Sequence, residues 1–205
     1  MVKGLWGKKI GMTQIFSNDA VIPVTAVDIS NWVVTNIKTK ERDGYDAIQM
    51  GHIRKRYHGQ PYQESWLKSS TKYFDFVKEI RLDDALQDVT VGHPLNFNTI
   101  IAEGDIVDVS GITKGSGFAG VVKRHGFGGG PKSHGSMFKR IPGSISFMRS
   151  QGRVIKGKRM PGHMGVQKRM MRNLSIAKIE PEAQVVLVKG SVPGKAGSLI
   201  FIRKA

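Results

Sequence analysis

Short apolar, β-branched runs separated by turn-forming clusters occupy both flanks of the chain. Residues 4 to 10 and Gln14 to Phe16 read as short strands broken at Gly11-Met12-Thr13. Ser17-Asn18-Asp19 reads as a turn, because such side chains bond their own backbone. Val21 to Ile29 and Trp32 to Lys38 are β-branched runs separated by Ser30-Asn31, which is hairpin punctuation. After a turn at Glu41 to Gly44, Tyr45 to Met50 alternates between apolar and polar positions. These elements predict antiparallel sheet.

From His52 to about Pro94 the pattern changes. Gln63 to Ser70 fits a helix of two turns and Tyr73 to Leu82 alternates as a strand, with loops at Asp83 to Ala85 and Thr90 to Gly92. This predicts a small α+β insertion. Ile106 to Ser110 is a further strand, and Leu174 to Ile179, Gln184 to Val188 and Leu199 to Ile202 are three more. Strands on both flanks of a long intervening stretch predict that the flanks pair into one sheet or barrel. The expected organisation is a mainly β body of residues 1–110 and 173–205, an insertion at about 52–94, and a long excursion over 111–172.

Glycine dominates that excursion. Thirteen glycines fall between Gly115 and Gly165, and each has the most backbone entropy to lose, so a mostly irregular Gly/basic extension is expected. Fixing about sixty residues at ~1 to 2 kcal/mol each costs on the order of 60 to 120 kcal/mol. The scattered apolar residues form no core to offset this, so order is expected to come from a partner.

Charge identifies the partner's class. Between Asp108 and Glu180 there is no carboxylate, but there are fifteen cations: Lys114, Lys123, Arg124, Lys132, Lys139, Arg140, Arg149, Arg153, Lys156, Lys158, Arg159, Lys168, Arg169, Arg172 and Lys178. The remaining seventeen Lys and Arg nearly balance all sixteen carboxylates, so the net charge of +16 sits almost wholly in this third of the chain. A cationic field on a backbone bare enough for close approach suits nucleic acid.

Other chemistries fit less well. Gly115-Ser116-Gly117-Phe118-Ala119-Gly120 matches G-x-G-x-x-G, but the dinucleotide fold needs a long helix and a carboxylate about 20 residues on. Glycines from Gly126 onward limit any helix here to Ala119 to His125, and the first carboxylate after the motif is Glu180. No Gly-Lys-Ser/Thr follows Gly128-Gly129-Gly130, and no G-x-S-x-G elbow occurs. His125, His134 and His163 are not at metal-ligand spacing, so they suit hydrogen bonding to RNA better than catalysis. Phe118, Phe127, Phe138 and Phe147 either stack on unpaired bases or form small clusters that pin the loop to itself. There is no cysteine, hence no disulfide and no Cys-built zinc site. The amino terminus has no apolar leader, so secretion and import are not expected. The longest apolar runs, such as Val185 to Val188, are far below the roughly 18 residues of a membrane span.

Several long motifs then carry a resemblance. Lys114-Gly115-Ser116-Gly117-Phe118-Ala119-Gly120 through His125, Gly128-Gly129-Gly130-Pro131-Lys132-Ser133-His134-Gly135, Pro142-Gly143-Ser144-Ile145, and Gly152-Arg153-Val154-Ile155-Lys156-Gly157-Lys158-Arg159 through Gly165 resemble the bacterial type of the ribosomal protein L-three family. Gly7 to Thr13 and Val188 to Gly194 agree with it, so the resemblance covers the whole chain. It implies a closed six-stranded β-barrel like that of translation factors, with an α+β insertion. It also implies a non-enzymatic constituent of the large ribosomal subunit in the cytoplasm, with no cofactor, metal or small-molecule substrate and no membrane partner. Such a protein binds large-subunit rRNA early in assembly near the RNA's 3′ end, lies beside other subunit proteins, and sends its loop toward the peptidyl transferase centre. On this reading the RNA-contacting residues are the cations from Lys114 to Arg172 with His125, His134 and His163, and Ile145, Phe147 and Met148 form the loop tip. One departure concerns a methylated glutamine that some bacterial members carry just after Pro-Gly-Ser-Ile. Here Phe147-Met148-Arg149 follow Ser146 and Gln151 is out of register, so that modification is not expected.

Overall fold

The computed structural model describes residues 4–17, 20–82, 89–94, 100–146 and 152–205. Its regular elements begin with β1 (Gly4–Ser17), β2 (Ala20–Asp28), β3 (Trp32–Lys38), α1 (Lys40–Asp43), β4 (Ala47–Ile53), α2 (Ser70–Tyr73), β5 (Phe74–Arg81) and β6 (Ile106–Ile112). They continue with β7 (Phe118–Ala119), α3 (Val121–His125), β8 (Gly162–His163), β9 (Lys168–Glu180), β10 (Val185–Lys189) and β11 (Leu199–Lys204). Short 3-10 helices lie at Lys55–Tyr57 and Glu64–Ser69, of three and six residues. The chain forms two units, Met1–Ile112 with Lys168–Ala205, and Thr113–Gln167.

In the first unit, six antiparallel strands pair in the order β1, β11, β6, β9, β10, β2, and β2 returns to β1, so the sheet closes on itself as a barrel. The period-two pattern explains its interior. Val107 and Val109, Val186 and Val188, and Ile200 and Ile202 alternate inward and meet Leu5, Val27 and Ile176. Fully burying each such side chain is worth about 1.5 to 3 kcal/mol.

Three sequence expectations are corrected. Gly11-Met12-Thr13 does not break the first strand: β1 runs fourteen residues. A bulge between Lys9 and Gly11 absorbs the irregularity, and pairing with β2 continues to Ser17. At the other joint, β9 starts at Lys168 rather than at Leu174, and its partner β6 extends to Ile112. Lys168 to Asn173 are all exposed, so no buried face announces this part of the strand; backbone pairing with β6 runs along it. A register shift between Val107 and Val109 is accommodated at Asn173, whose φ is 56° and whose N–H donates to Asp108 Oδ1 at 3.1 Å.

The third correction concerns β3 and β4. Expected in the body, they form instead a separate sheet of order β3, β4, β5, and β2 and β3 pair with different strands. The second sheet thus begins at Trp32, not near His52. One face packs Trp32, Val34, Ile48, Met50, Ile80 and Leu82 against Trp6, Leu199 and Phe201 of the barrel wall. Val33, Ile53 and Phe74 meet Trp66 on the other face. Both faces are covered, so β3 reads as a continuous apolar run, which looks the same in any buried strand. Trp6 Nε1 donates to Glu79 O at 3.3 Å and Lys8 Nζ to Asp75 Oδ2 at 2.9 Å, tying β1 to β5.

His52 of β4 is buried, with its ring edge-on to Trp32 at 5.2 Å between centroids. Its Nδ1 stands 3.6 Å from Asp75 Oδ2, too far for a hydrogen bond. Burial pushes its pKa down to about 4, and the nearby Lys8 adds to this, outweighing Asp75 and Asp28. Folding lowers this pKa, so the folded state binds fewer protons than the unfolded chain between pH 6.5 and about 4. Stability is fully present above that window and is lost as pH falls through it, by on the order of 3 kcal/mol for a shift of this size at ~1.4 kcal/mol per unit. NMR titration is expected to find the His52 imidazole neutral until pH approaches about 4, with the denaturant midpoint falling over the same range. A His52 resonance titrating near the ordinary histidine value contradicts this.

Candidate nucleic-acid interface

The unit of residues 113–167 is built from two arms that pair near their roots. Thr113 N–H donates to Gln167 O at 3.0 Å and Gln167 N–H to Thr113 Oγ1 at 3.2 Å. Ser116 N–H reaches Met164 O at 2.8 Å, and Met164 N–H reaches Gly117 O at 2.9 Å. The two-residue ladder of β7 and β8 follows, with Phe118 opposite His163 and Ala119 opposite Gly162. The chain then turns into α3, which Gly126 ends in the left-handed conformation (φ 72°), its N–H capping the carbonyls of Val121 and Val122. Ala119 and Val121 are buried.

The stem order differs from the expectation that a partner alone would order the extension. Close approach of the two arms explains it. A Cβ on Gly165 (φ 86°) would overlap the carbonyl of Lys114, and one on Gly130 would overlap that of Phe138. Gly130 N–H donates to Lys139 O at 3.1 Å. Some of the bare backbone is therefore used by the chain against itself. Val166, next to Gly165, also has a positive φ of 52°, which is a strained value for a β-branched residue.

The candidate RNA-contacting residues fall into three groups. Lys114, Lys123, Lys132, His134, Lys139, Arg140, Arg153, Lys156, Lys158, Arg159 and His163 are exposed, as are Lys168, Arg169 and Arg172 of β9. Arg124 and His125 are half-buried and are brought together on one acceptor: Arg124 Nη1 donates to Met160 O at 2.6 Å and His125 Nε2 lies 3.1 Å from it. They clasp the second arm to α3. Sequence reasoning put them with the phosphate contacts because nothing in a cationic run marks which cations turn inward. Arg149, Phe147 and Met148 lie outside the described residues; Ile145 of the same expected tip is exposed.

The aromatic residues divide as well. Phe127 packs its ring 6.1 Å from that of His125, a local cluster. Phe118 is 80% exposed, Phe138 is exposed, and Phe147 is not described. Phe118 and His163 are cross-strand partners, so their side chains share one face of the ladder. This juxtaposition across 45 residues has no sequence signal. Electrostatically, the unit holds no carboxylate. The ion pairs among the described residues, such as Lys8–Asp75, Lys38–Glu79 and Lys204–Asp105, lie elsewhere. Gly115 to Gly120 leads into a helix of only five residues, which removes the dinucleotide reading. No helix among the described residues exceeds six, so nothing resembles a recognition helix.

Gly165→Ala is expected to open the stem, because the new methyl needs both the space of the Lys114 carbonyl and a left-handed backbone. The local cost is about 1 kcal/mol or more. Hydrogen exchange should show lost protection at the Ser116 and Met164 amides, with the barrel amides unchanged.

The family model for ribosomal protein L3 matches residues 80–185. The chain is 45% identical over its whole length to the large ribosomal subunit protein uL3 of Syntrophus aciditrophicus, covering 94% of that protein. It is also 45% identical to the uL3 of Lactobacillus gasseri and 42% to that of Syntrophotalea carbinolica, over all of this chain and 98% and 99% of theirs. With likeness of this degree running from end to end, the chain belongs to the ribosomal protein L3 family.

Proposed function

We propose that the protein is a non-enzymatic structural constituent of the large ribosomal subunit in the cytoplasm, lying among neighbouring subunit proteins and binding large-subunit rRNA directly. On this reading it joins early in assembly near the RNA's 3′ end, with its basic loop directed toward the peptidyl transferase centre. The observation that carries it is the cationic, carboxylate-free unit of residues 113–167 in a chain of this family. Its exposed Lys and Arg suit phosphate, while the exposed Phe118–His163 pair offers a face on which an unstacked base can lie. The closed six-stranded sheet takes the part of a translation-factor-like barrel on the subunit exterior. No cofactor, metal or small-molecule substrate belongs to this role.

The body and the basic extension are tested separately. Ile112 and Lys168 are paired, so a short Gly/Asn turn joining them should leave the barrel and second sheet folded, with a cooperative thermal transition. Loss of cooperativity contradicts an independent body. For the extension, Lys156, Lys158 and Arg159→Ala should weaken rRNA binding and lower the slope of log affinity against log salt by about 2 to 3, given ~0.7 to 0.9 per phosphate contact. Phe147 and Met148→Ala should leave subunit yield near normal but alter peptide-bond formation or the response to drugs that act there. Equal loss of subunits in both variants overturns the assignment of rRNA binding to these cations and of a separate role to the loop tip.

A further inference from the structure

The hairpin of β1 and β2 carries a surface that the RNA-binding role does not use. From Ile10 to Val27 the sequence holds one charged residue, Asp19, which lies outside the described residues, although 23% of the chain is charged. Gln14 and Phe16 stand opposite Pro23 and Val21, and Met12 lies two residues before Gln14. Alternation therefore places Met12, Gln14, Phe16, Val21 and Pro23 on one face, uncharged throughout and apolar except at Gln14. Met12 is 54% exposed, Phe16 74% and Val21 56%, and Ile10 at the bulge is 52% exposed. Among the described residues, β1 beyond Gly11 pairs with β2 alone. Single exposed apolar side chains are ordinary, but a contiguous group on a sheet face marks a contact surface.

Charge decides what covers it. RNA presents a phosphate at every nucleotide, and a protein face that meets it needs cations to replace the counterions. The hairpin face has none, while the rest of the chain has 32. An apolar, uncharged patch matches the depletion of charge at the centre of protein–protein interfaces, where a Phe serves as an anchor. We infer that the β1–β2 hairpin, through Met12, Phe16, Val21 and Pro23, docks an uncharged apolar patch of a neighbouring protein in the large subunit. The inference rests on the reading that the chain is a subunit constituent.

Photocrosslinking within purified large subunits tests it, with Phe16→benzoylphenylalanine as the probe and Lys156→benzoylphenylalanine as the control. The hairpin probe should give an adduct with one other subunit protein, whereas the control should give an adduct with rRNA. An rRNA adduct from position 16, an adduct with a second copy of this chain, or no adduct overturns the proposal. If neither variant is found in large subunits, the constituent reading itself fails, which is a separate result. Phe16→Asp should lower the occupancy of the crosslinked neighbour roughly tenfold, as removal of an anchor does. It should leave the thermal midpoint and rRNA affinity of the purified protein unchanged; a parallel loss of rRNA affinity counts against the proposal.

Discussion

The antiparallel ladder between β6 and β9 is the joint on which both units depend. It supplies one wall of the barrel and, at Ile112 and Lys168, sets side by side the residues from which the long excursion leaves and returns. Closing so long a loop costs little more than closing a short one, because the entropy grows only with the logarithm of length. Register is the demanding part. A slip of one residue would turn Val107 and Val109 out of the barrel interior. Asp108 opposes that slip: its Oδ1 accepts the Asn173 N–H at the bulge, and its Oδ2 lies 3.5 Å from Arg203 of β11. The last carboxylate before the cationic stretch is thus a fixing point for the barrel.

Beyond that joint, backbone and side chains have different tasks. The exposed cations of the 113–167 unit repel one another, which works against compaction. Backbone pairing overcomes this near the roots of the arms, where Gly165 permits close approach and Arg124 and His125 share one carbonyl. Two of the basic side chains are therefore spent on holding the stem's geometry, and the exposed remainder is available for phosphate. The rest of the chain is nearly neutral, and there Lys8, Lys38 and Lys204 pair with Asp75, Glu79 and Asp105.

Much of this was legible in the sequence, and the parts that were not share a cause. The barrel strands β10 and β11 alternate cleanly because one face is buried, and turn residues bound them. The cationic stretch is legible because charge needs no fold to be counted. Three features left no local trace: the assignment of Trp32 to Lys38 to a second sheet, the pairing of Lys168 to Asn173 with β6, and the clasp on Met160 O. Each depends on which distant segment faces a residue, and neither periodicity nor composition carries that information. The glycines misled in the same way. Their number signals close approach, but only the structure shows that Gly130 and Gly165 are approached by their own chain.

The separation of charge from apolar surface also orders events by range. Attraction between the carboxylate-free stretch and a polyanion acts across a screening length of about 10 Å at ordinary salt. The apolar face of Met12, Phe16 and Val21 gains nothing until water is expelled at contact. An encounter is therefore steered by the segment that carries nearly all the net charge, and a neutral face cannot compete for the same polyanion at a distance. On the docking proposed for the hairpin, that contact forms at short range, after any long-range steering of the cationic segment. A hairpin that carried the cations found elsewhere would compete with that segment for the same polyanion.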